Sequence, residues 1–173
     1  FAEARTEIFL ETYIFQSSPI ADAFRDALVT AARRGASVQV LIDAWGSPEL
    51  RDDYFRPLVE AGGQFRWFNP FSISRFGIRN HRKLLVCDER VAFVGGINVI
   101  DDIDTPDHVP PRFDYAVRVE GPLLADIHAA AAWLWKLTSW AQLRQRGRPR
   151  CRPLAAPGWH RAATGLGARC ALS

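Results

Sequence analysis

Short apolar runs broken by turn residues set the pattern of this chain. Glu7–Phe15 (EIFLETYIF) is rich in β-formers and is closed by Gln16-Ser17-Ser18-Pro19, which predicts a strand. Ser18 and Pro19 have the chemistry of a helix N-cap and first turn. Ile20, Phe24, Leu28 and Ala31 then recur at helical spacing until Gly35. Ser37–Asp43 (SVQVLID) predicts a buried parallel strand, so these elements form a βαβ unit. Ser47-Pro48-Glu49 predicts a second helix running to Ala61, stopped by Gly62-Gly63, and Gln64–Asn69 a third strand. Two further strands are expected at Arg82–Asp88 and Val91–Val94, joined by a tight turn at Glu89-Arg90. Arg112–Glu120 (RFDYAVRVE) alternates as a strand does, and Gly121-Pro122 opens a last helix to Trp140 with Trp133 and Trp135 on it. The fold class that follows is α/β.

Composition divides the chain in two. Residues 141–173 carry seven arginines and no acid, with no periodicity, a composition that cannot bury enough surface to fold. With those seven set aside, residues 1–140 hold 15 basic against 19 acidic residues, a net charge of −4. The expected organisation is a domain over 1–140 and an Arg/Pro/Gly-rich disordered tail over 141–173. An acidic body lacks the footprint of a nucleic-acid binder, so nucleic acid is not an expected partner. Cys87, Cys151 and Cys170 are an odd number without metal spacing, and Cys87 reads as a small buried hydrophobe. No apolar run approaches the roughly 20 residues a spanning helix needs. The chain opens on Phe1 and contains no Met, so a fragment of a longer protein is expected.

Chemistry concentrates in one stretch. His81-Arg82-Lys83-Leu84-Leu85-Val86-Cys87-Asp88 is followed by Gly95-Gly96-Ile97-Asn98, the pattern H-x-K-x4-D-x6-G-G-x-N. On a strand, side chains alternate between faces, so His81 and Lys83 share one face about 6–7 Å apart and Arg82 takes the other. Lysine offers a point charge to a tetrahedral phosphate, asparagine an amide donor, and glycine room for close backbone approach. Histidine is left as nucleophile or proton carrier. Only two lysines stand among twenty arginines, and one of them is Lys83. Two loops are ambiguous. Pro70–Asn80 (PFSISRFGIRN), apolar and basic, reads either as a membrane-facing lip or as residues tucked into the core. Asp101–Pro111 reads either as a divalent-metal loop or as a solvated one.

The motif matches the signature of the phospholipase D superfamily. Phe9–Phe15, Ala31–Asp43, Gly46–Leu50, Arg79–Val99 and Asp114–Pro122 resemble bacterial cardiolipin synthases of the B type, over about residues 5–140. The resemblance implies an α/β/α sandwich with a mixed, largely parallel sheet. It implies a site made from two H-K-D motifs, with His81 attacking phosphorus to form a phosphohistidine and a second histidine protonating the leaving alkoxide. Lys83 and Asn98 would bind the non-bridging oxygens, and Gly95 and Gly96 would admit the phosphate. Gly96 stands where many relatives have Ser. Asp88 belongs to the catalytic signature, although its spacing suggests a turn or supporting role. Asp114 would hold the second nitrogen of His81, unless it simply caps its strand. No metal or other cofactor is implied. The implied substrate is an anionic phospholipid, phosphatidylglycerol, met by peripheral contact with the bacterial cytoplasmic membrane. This chain carries one H-x-K only, since His108, His128 and His160 lack a lysine two residues on. The second motif must then come from a missing C-terminal half or a homodimer partner, and the isolated chain is expected to turn over little or nothing. Phosphatidyl transfer giving cardiolipin is the leading expectation. The alternatives are a phospholipase or nuclease-type phosphodiesterase working as a homodimer, or an inactive lipid-binding fragment.

Overall fold

The computed structural model describes residues 3–69, 78–101 and 113–145, with side chains as far as Ser139. The expectations for the loops at 70–77 and 102–111 and for the tail from 146 onward lie outside those residues. The elements are β1 Glu7–Thr12, α1 Pro19–Arg33, β2 Ser37–Asp43, α2 Arg56–Glu60, β3 Gln64–Phe68, β4 Leu84–Cys87, β5 Val91–Gly95, β6 Ala116–Val119 and α3 Leu123–Gln145. The strands form a single sheet in the order β3-β2-β1-β4-β5-β6. β3, β2 and β1 pair in parallel, whereas β1–β4, β4–β5 and β5–β6 are antiparallel. The sheet is therefore mixed, as expected, but parallel pairing is confined to one half. The βαβ periodicity governs only the first three strands, and the motif strands return through a hairpin.

Strand alternation splits the core into two layers. Ile8 and Leu10 of β1 and Val38, Val40 and Ile42 of β2 pack with Leu28, Ala31 and Ala32 of α1 and Leu58 of α2. Phe9, Leu41, Leu84, Val86 and Ala92 face the other way, onto Leu124, Ala131, Leu134 and Trp135 of α3. The result is the expected α/β/α sandwich. α1 starts where its cap chemistry predicts, with Ser18 Oγ accepting from the Ala21 N–H at 3.2 Å. Its buried stripe is rotated from the expected one: Ile20 is exposed, and Ala21, Leu28, Val29, Ala31 and Ala32 are buried.

The second helix is far shorter than its start signal predicts. Pro57 has no N–H to donate into a preceding turn and its ring clashes there, so the helix begins at Arg56, with proline in its first turn. Ser47 caps nothing. Its hydroxyl instead donates to the Tyr13 carbonyl (3.1 Å) and accepts the Phe15 N–H (2.8 Å). That bond holds the loop after β1, whose Phe15 is buried edge-on against Phe55 at 5.1 Å. The strand expected over Arg112–Glu120 shrinks to β6. Because β6 is an edge strand, its alternation does not translate into burial: Val117 and Tyr115 are exposed. On α3, Trp135 is core, with the Arg66 guanidinium 3.7 Å from its ring centre, whereas Trp133 is exposed. Cys87 is buried, and desolvation pushes its thiol up, as expected of a small core hydrophobe.

The β1–β4 seam is anchored at both ends by carboxylates. At the start of β1, the Asp88 carboxylate accepts the backbone N–H groups of Arg5, Thr6 and Glu7 at 2.8–3.1 Å and the Thr6 hydroxyl at 2.8 Å. Desolvation works to raise its pKa, but these donors outweigh it and hold Asp88 well below the usual carboxylate range. The turn that places it is centred on Asp88 and Glu89, one residue earlier than expected. Both have positive φ (54° and 50°), as in the turns that match hairpin twist. At the other end, Glu11 is 3% exposed and accepts from Asn80 Nδ2 (3.1 Å) and Arg82 Nη2 (3.0 Å). Burial raises the Glu11 pKa, and Arg82 and Asn80 oppose that rise. Asp43, fully buried at the end of β2, accepts the Asn80 N–H at 2.8 Å and those of Trp45 and Gly46 at 2.9 and 3.1 Å.

Two outcomes follow. Asp88→Asn should cost about 1.5–3 kcal/mol, the worth of bonds to a charged acceptor. A depressed carboxylate contributes stability that is present above the ordinary Asp range and lost as pH falls below it. Acid titration of urea unfolding midpoints should therefore show a shallower acid limb in Asp88→Asn than in the parent. Arg82→Met leaves Glu11 buried without its cation and should cost up to about 3–5 kcal/mol. Glu11→Gln/Arg82→Met should recover part of that loss in the same urea assay.

Candidate active site

The site forms where the C-terminal ends of β1, β2 and β5 meet the N-terminal end of β4. Asn80–Lys83 leads into β4 without being part of it: the Asn80 N–H goes to the Asp43 side chain at the end of β2, and the Arg82 N–H to the Asn80 side chain within the segment. Asn80 is the hinge pin. Its backbone N–H goes to Asp43 and its side-chain amide to Glu11, so the next residue, His81, projects from a fixed point. Arg79 adds a contact over the Trp45 ring at 4.1 Å.

His81 and Lys83 lie together, on one side of the segment as alternation requires. Lys83 Nζ is 3.0 Å from His81 Nδ1, 3.2 Å from Nε2 and 2.9 Å from the His81 carbonyl oxygen. His81 is exposed and Lys83 is 7% exposed. Among the described residues no carboxylate lies within ion-pair distance of Lys83. Desolvation lowers its pKa, and the more distant charge of Asp114 partly restores it. Tyr13 completes the wall: its ring sits 4.6 Å from the His81 ring, tilted by 48°, and 5.3 Å from Lys83 Nζ.

Asn98 arrives from the loop after β5. Its Oδ1 accepts the Ile14 N–H at 3.0 Å, and its Nδ2 makes only a long contact of 3.4 Å with the Gly96 carbonyl. The amide is thus oriented by its oxygen, and its nitrogen can donate to a ligand. The two loops are stitched together by Gln16 N–H to Val99 O (2.9 Å) and Val99 N–H to Ile14 O (3.1 Å). Gly95 is required by β6, because a Cβ there would lie 2.1 Å from the Tyr115 carbonyl oxygen. At Gly96 a Cβ would lie 1.9 Å from Asp114 Oδ1, so a side chain there would displace that exposed carboxylate. The missing side chain at 96 makes room for a carboxylate.

Two of the expected roles sit elsewhere. Asp88 is separated from Lys83 by the whole of β4, roughly 15 Å along the strand, and its carboxylate is filled by β1. Its place in the signature is to fix the seam, and it does not reach the other motif groups. Asp114 makes no hydrogen bond to His81. Its Oδ1 accepts the Tyr115 N–H at 2.8 Å, and its charge acts on Lys83. Both ring nitrogens of His81 instead face Lys83. Glu11, Asp43, Asn80 and Tyr13 position the site and carried no signal of their own. Glu11 and Asp43 end apolar runs, where a carboxylate reads as a strand terminus.

Residues 1–102 match the family model described as "Cardiolipin synthase, PLD-like domain". The chain is 41% identical over 132 residues to cardiolipin synthase B of Salmonella typhimurium, covering 73% of this chain and 32% of that protein. It is 39% identical over 131 residues to cardiolipin synthase B of Escherichia coli K12, covering 72% and 32%. Against the major cardiolipin synthase ClsA of Bacillus subtilis it is 34% identical over 146 residues, covering 80% and 30%. The chain thus spans about a third of the length of these relatives. In fold it is similar to Nuc, a phospholipase D family member from Salmonella typhimurium, with a TM-score of 0.56, 21% identity and coverage of 78% and 81%. NucT from Helicobacter pylori has a TM-score of 0.54, 16% identity and coverage of 80% and 82%. A sandwich with this H-x-K site, matched by the family model over more than half its length, belongs to the cardiolipin synthase, PLD-like domain family.

Proposed function

We propose that this chain supplies one half of a phosphatidyl-transfer site, in which the phosphatidyl group of phosphatidylglycerol passes through His81 to a second lipid hydroxyl, giving cardiolipin. The observation that carries the reading is the pairing of a buried Lys83 ammonium with the ring of an exposed His81. A lysine 7% exposed, with no carboxylate within ion-pair distance among the described residues, is poised to take an anion, and a nucleophile stands beside it.

In this scheme a His81 ring nitrogen attacks phosphorus. The N–P bond forms as the P–O bond to glycerol breaks, and the leaving alkoxide takes a proton from the histidine of a second motif. That histidine then removes the proton of the acceptor hydroxyl, whose oxygen attacks phosphorus and releases His81. Lys83 Nζ and Asn98 Nδ2 meet the non-bridging oxygens, where negative charge builds in the transition state. When phosphate arrives, Lys83 exchanges its contacts with the imidazole for contacts with the anion and frees the ring. The charge of Asp114 partly offsets the desolvation of Lys83. The second motif comes from a further segment of a longer protein or from a second copy. Contact with the membrane is peripheral in this scheme: no described helix is long and apolar enough to cross a bilayer.

The test is intact mass after brief exposure to phosphatidylglycerol micelles, with light scattering on the same sample. A two-motif form of the protein should acquire a phosphatidyl adduct and release glycerol and cardiolipin, and His81→Ala should abolish both. Lys83→Ala should lower turnover at least 10²-fold, the usual loss for a group that stabilises transition-state charge. A strict monomer of the present chain should show neither adduct nor turnover. Turnover by that monomer would overturn the half-site, and absence of cardiolipin from the two-motif form would overturn the reaction. Metal-free cleavage of plasmid DNA by a dimer would favour the phosphodiesterase reading.

A further inference from the structure

At the end of the sheet opposite His81, three chain segments bring metal-binding groups together. Glu7 opens β1, Glu89 lies in the β4–β5 turn, and His128 is in the second turn of α3. His128 Nε2 is 2.7 Å from Glu7 Oε2 and 3.6 Å from Glu89 Oε1, and one ligating atom of each residue lies within 4.8 Å of the others. The His128 and Glu7 side chains are 19% and 25% exposed, and Glu89 stands at the open side at 64%.

We propose that Glu7, Glu89 and His128 bind a divalent transition-metal ion, Zn²⁺ by preference, which clips α3 to the β1–β4 seam. Charge is the first reason. Two carboxylates converge on one imidazole, and among the described residues no lysine or arginine lies within 4 Å of either. With a neutral ring the cluster carries two uncompensated negative charges. Geometry is the second. Zinc holds imidazole nitrogen and carboxylate oxygen at about 2.0–2.2 Å, so tetrahedral donors stand roughly 3.3 Å apart. The His128–Glu89 separation is already close to that. The His128–Glu7 separation reaches it by a small rotation of the Glu7 side chain. Ligand type is the third, because one imidazole and two carboxylates suit zinc, and the exposed side leaves the fourth position to water. The positions are also fixed. The His128 ring packs edge-on against Phe9 at 5.5 Å, and the Glu7 backbone N–H is bound by Asp88.

The cluster is independent of the phosphoryl chemistry, since Glu7 and Tyr13 stand at the two ends of β1, roughly 20 Å apart along the strand. The alternative source of positive charge is a proton on His128, and metal titration separates the two. Chelator-treated full chain is titrated with Zn²⁺ by calorimetry and with Co²⁺ by visible absorption, and thermal unfolding is followed with and without Zn²⁺. One equivalent of Zn²⁺ should bind with a micromolar or tighter Kd and raise the unfolding midpoint, and Co²⁺ should give a tetrahedral spectrum. His128→Ala and Glu89→Gln should each weaken binding at least tenfold and remove the thermal shift. Glu89 is exposed on a turn, so Glu89→Gln tests the site even where His128→Ala fails to fold. No saturable binding, or binding unchanged in Glu89→Gln because Cys151, His160 or Cys170 holds the metal, would overturn the proposal.

Discussion

The antiparallel pairing of β4 with β1 is the constraint on which the rest of this molecule depends. It is the seam where a parallel half-sheet meets an antiparallel one, and each strand reaches across to secure the other. Asp88, just after β4, takes the amides that start β1, and Glu11, within β1, takes Asn80 and Arg82 that lead into β4. A slip of one residue along this seam would turn every side chain of β4 over. It would send Leu84 and Val86 away from α3 and turn Lys83 and His81 together to the other face. Carboxylates suit the task because their bonds to amides and guanidinium are short, charge-assisted and specific in number. Apolar packing alone would tolerate the slip far better.

The electrostatics of the site follow from that register. Burying Glu11 and Lys83 is costly, and the two costs are offset in different ways. Glu11 is held by Arg82 and Asn80, which oppose the rise that burial gives its pKa. Among the described residues Lys83 has an imidazole, a carbonyl and a distant Asp114, and no carboxylate within ion-pair distance. A network that satisfies one buried charge while leaving another under-satisfied points to where an anion belongs.

Much of this was legible in the chain because alternation and turn chemistry are local properties. The βαβ unit, the Ser18 cap and the shared side of His81 and Lys83 all come from spacings of a few residues. What failed to read out depends on distance in space. Pro57 shortens the second helix although Ser47-Pro48-Glu49 looks like a start, because the Ser47 hydroxyl is taken by a loop 32 residues earlier. Glu11 and Asp43 are invisible as site residues because a carboxylate at the end of an apolar run looks like a strand end. Asp114 was placed by analogy of role and makes no hydrogen bond to His81, whereas Asp88 takes the turn and supporting role its spacing suggests. The Asp114 carboxylate lies against Gly96 and takes the Tyr115 N–H, and the hairpin turns Asp88 toward β1.

On the proposed reading, the arrangement also explains why half a site is a stable thing to build. Everything that fixes His81 and Lys83 comes from this one chain: Asn80 on Asp43 and Glu11, Tyr13 against the ring, Asn98 on Ile14. Nothing in that set is a second acid placed to meet a leaving group. His81 is instead exposed. Nucleophile and acid must stand on opposite sides of an in-line phosphorus, so one sheet end cannot hold both on the same short segment. A fold that holds one of them rigidly and leaves its outer side open can receive the other from any copy or segment bearing the same motif. The burden of precision then falls on the interface, because each half is already organised before they meet.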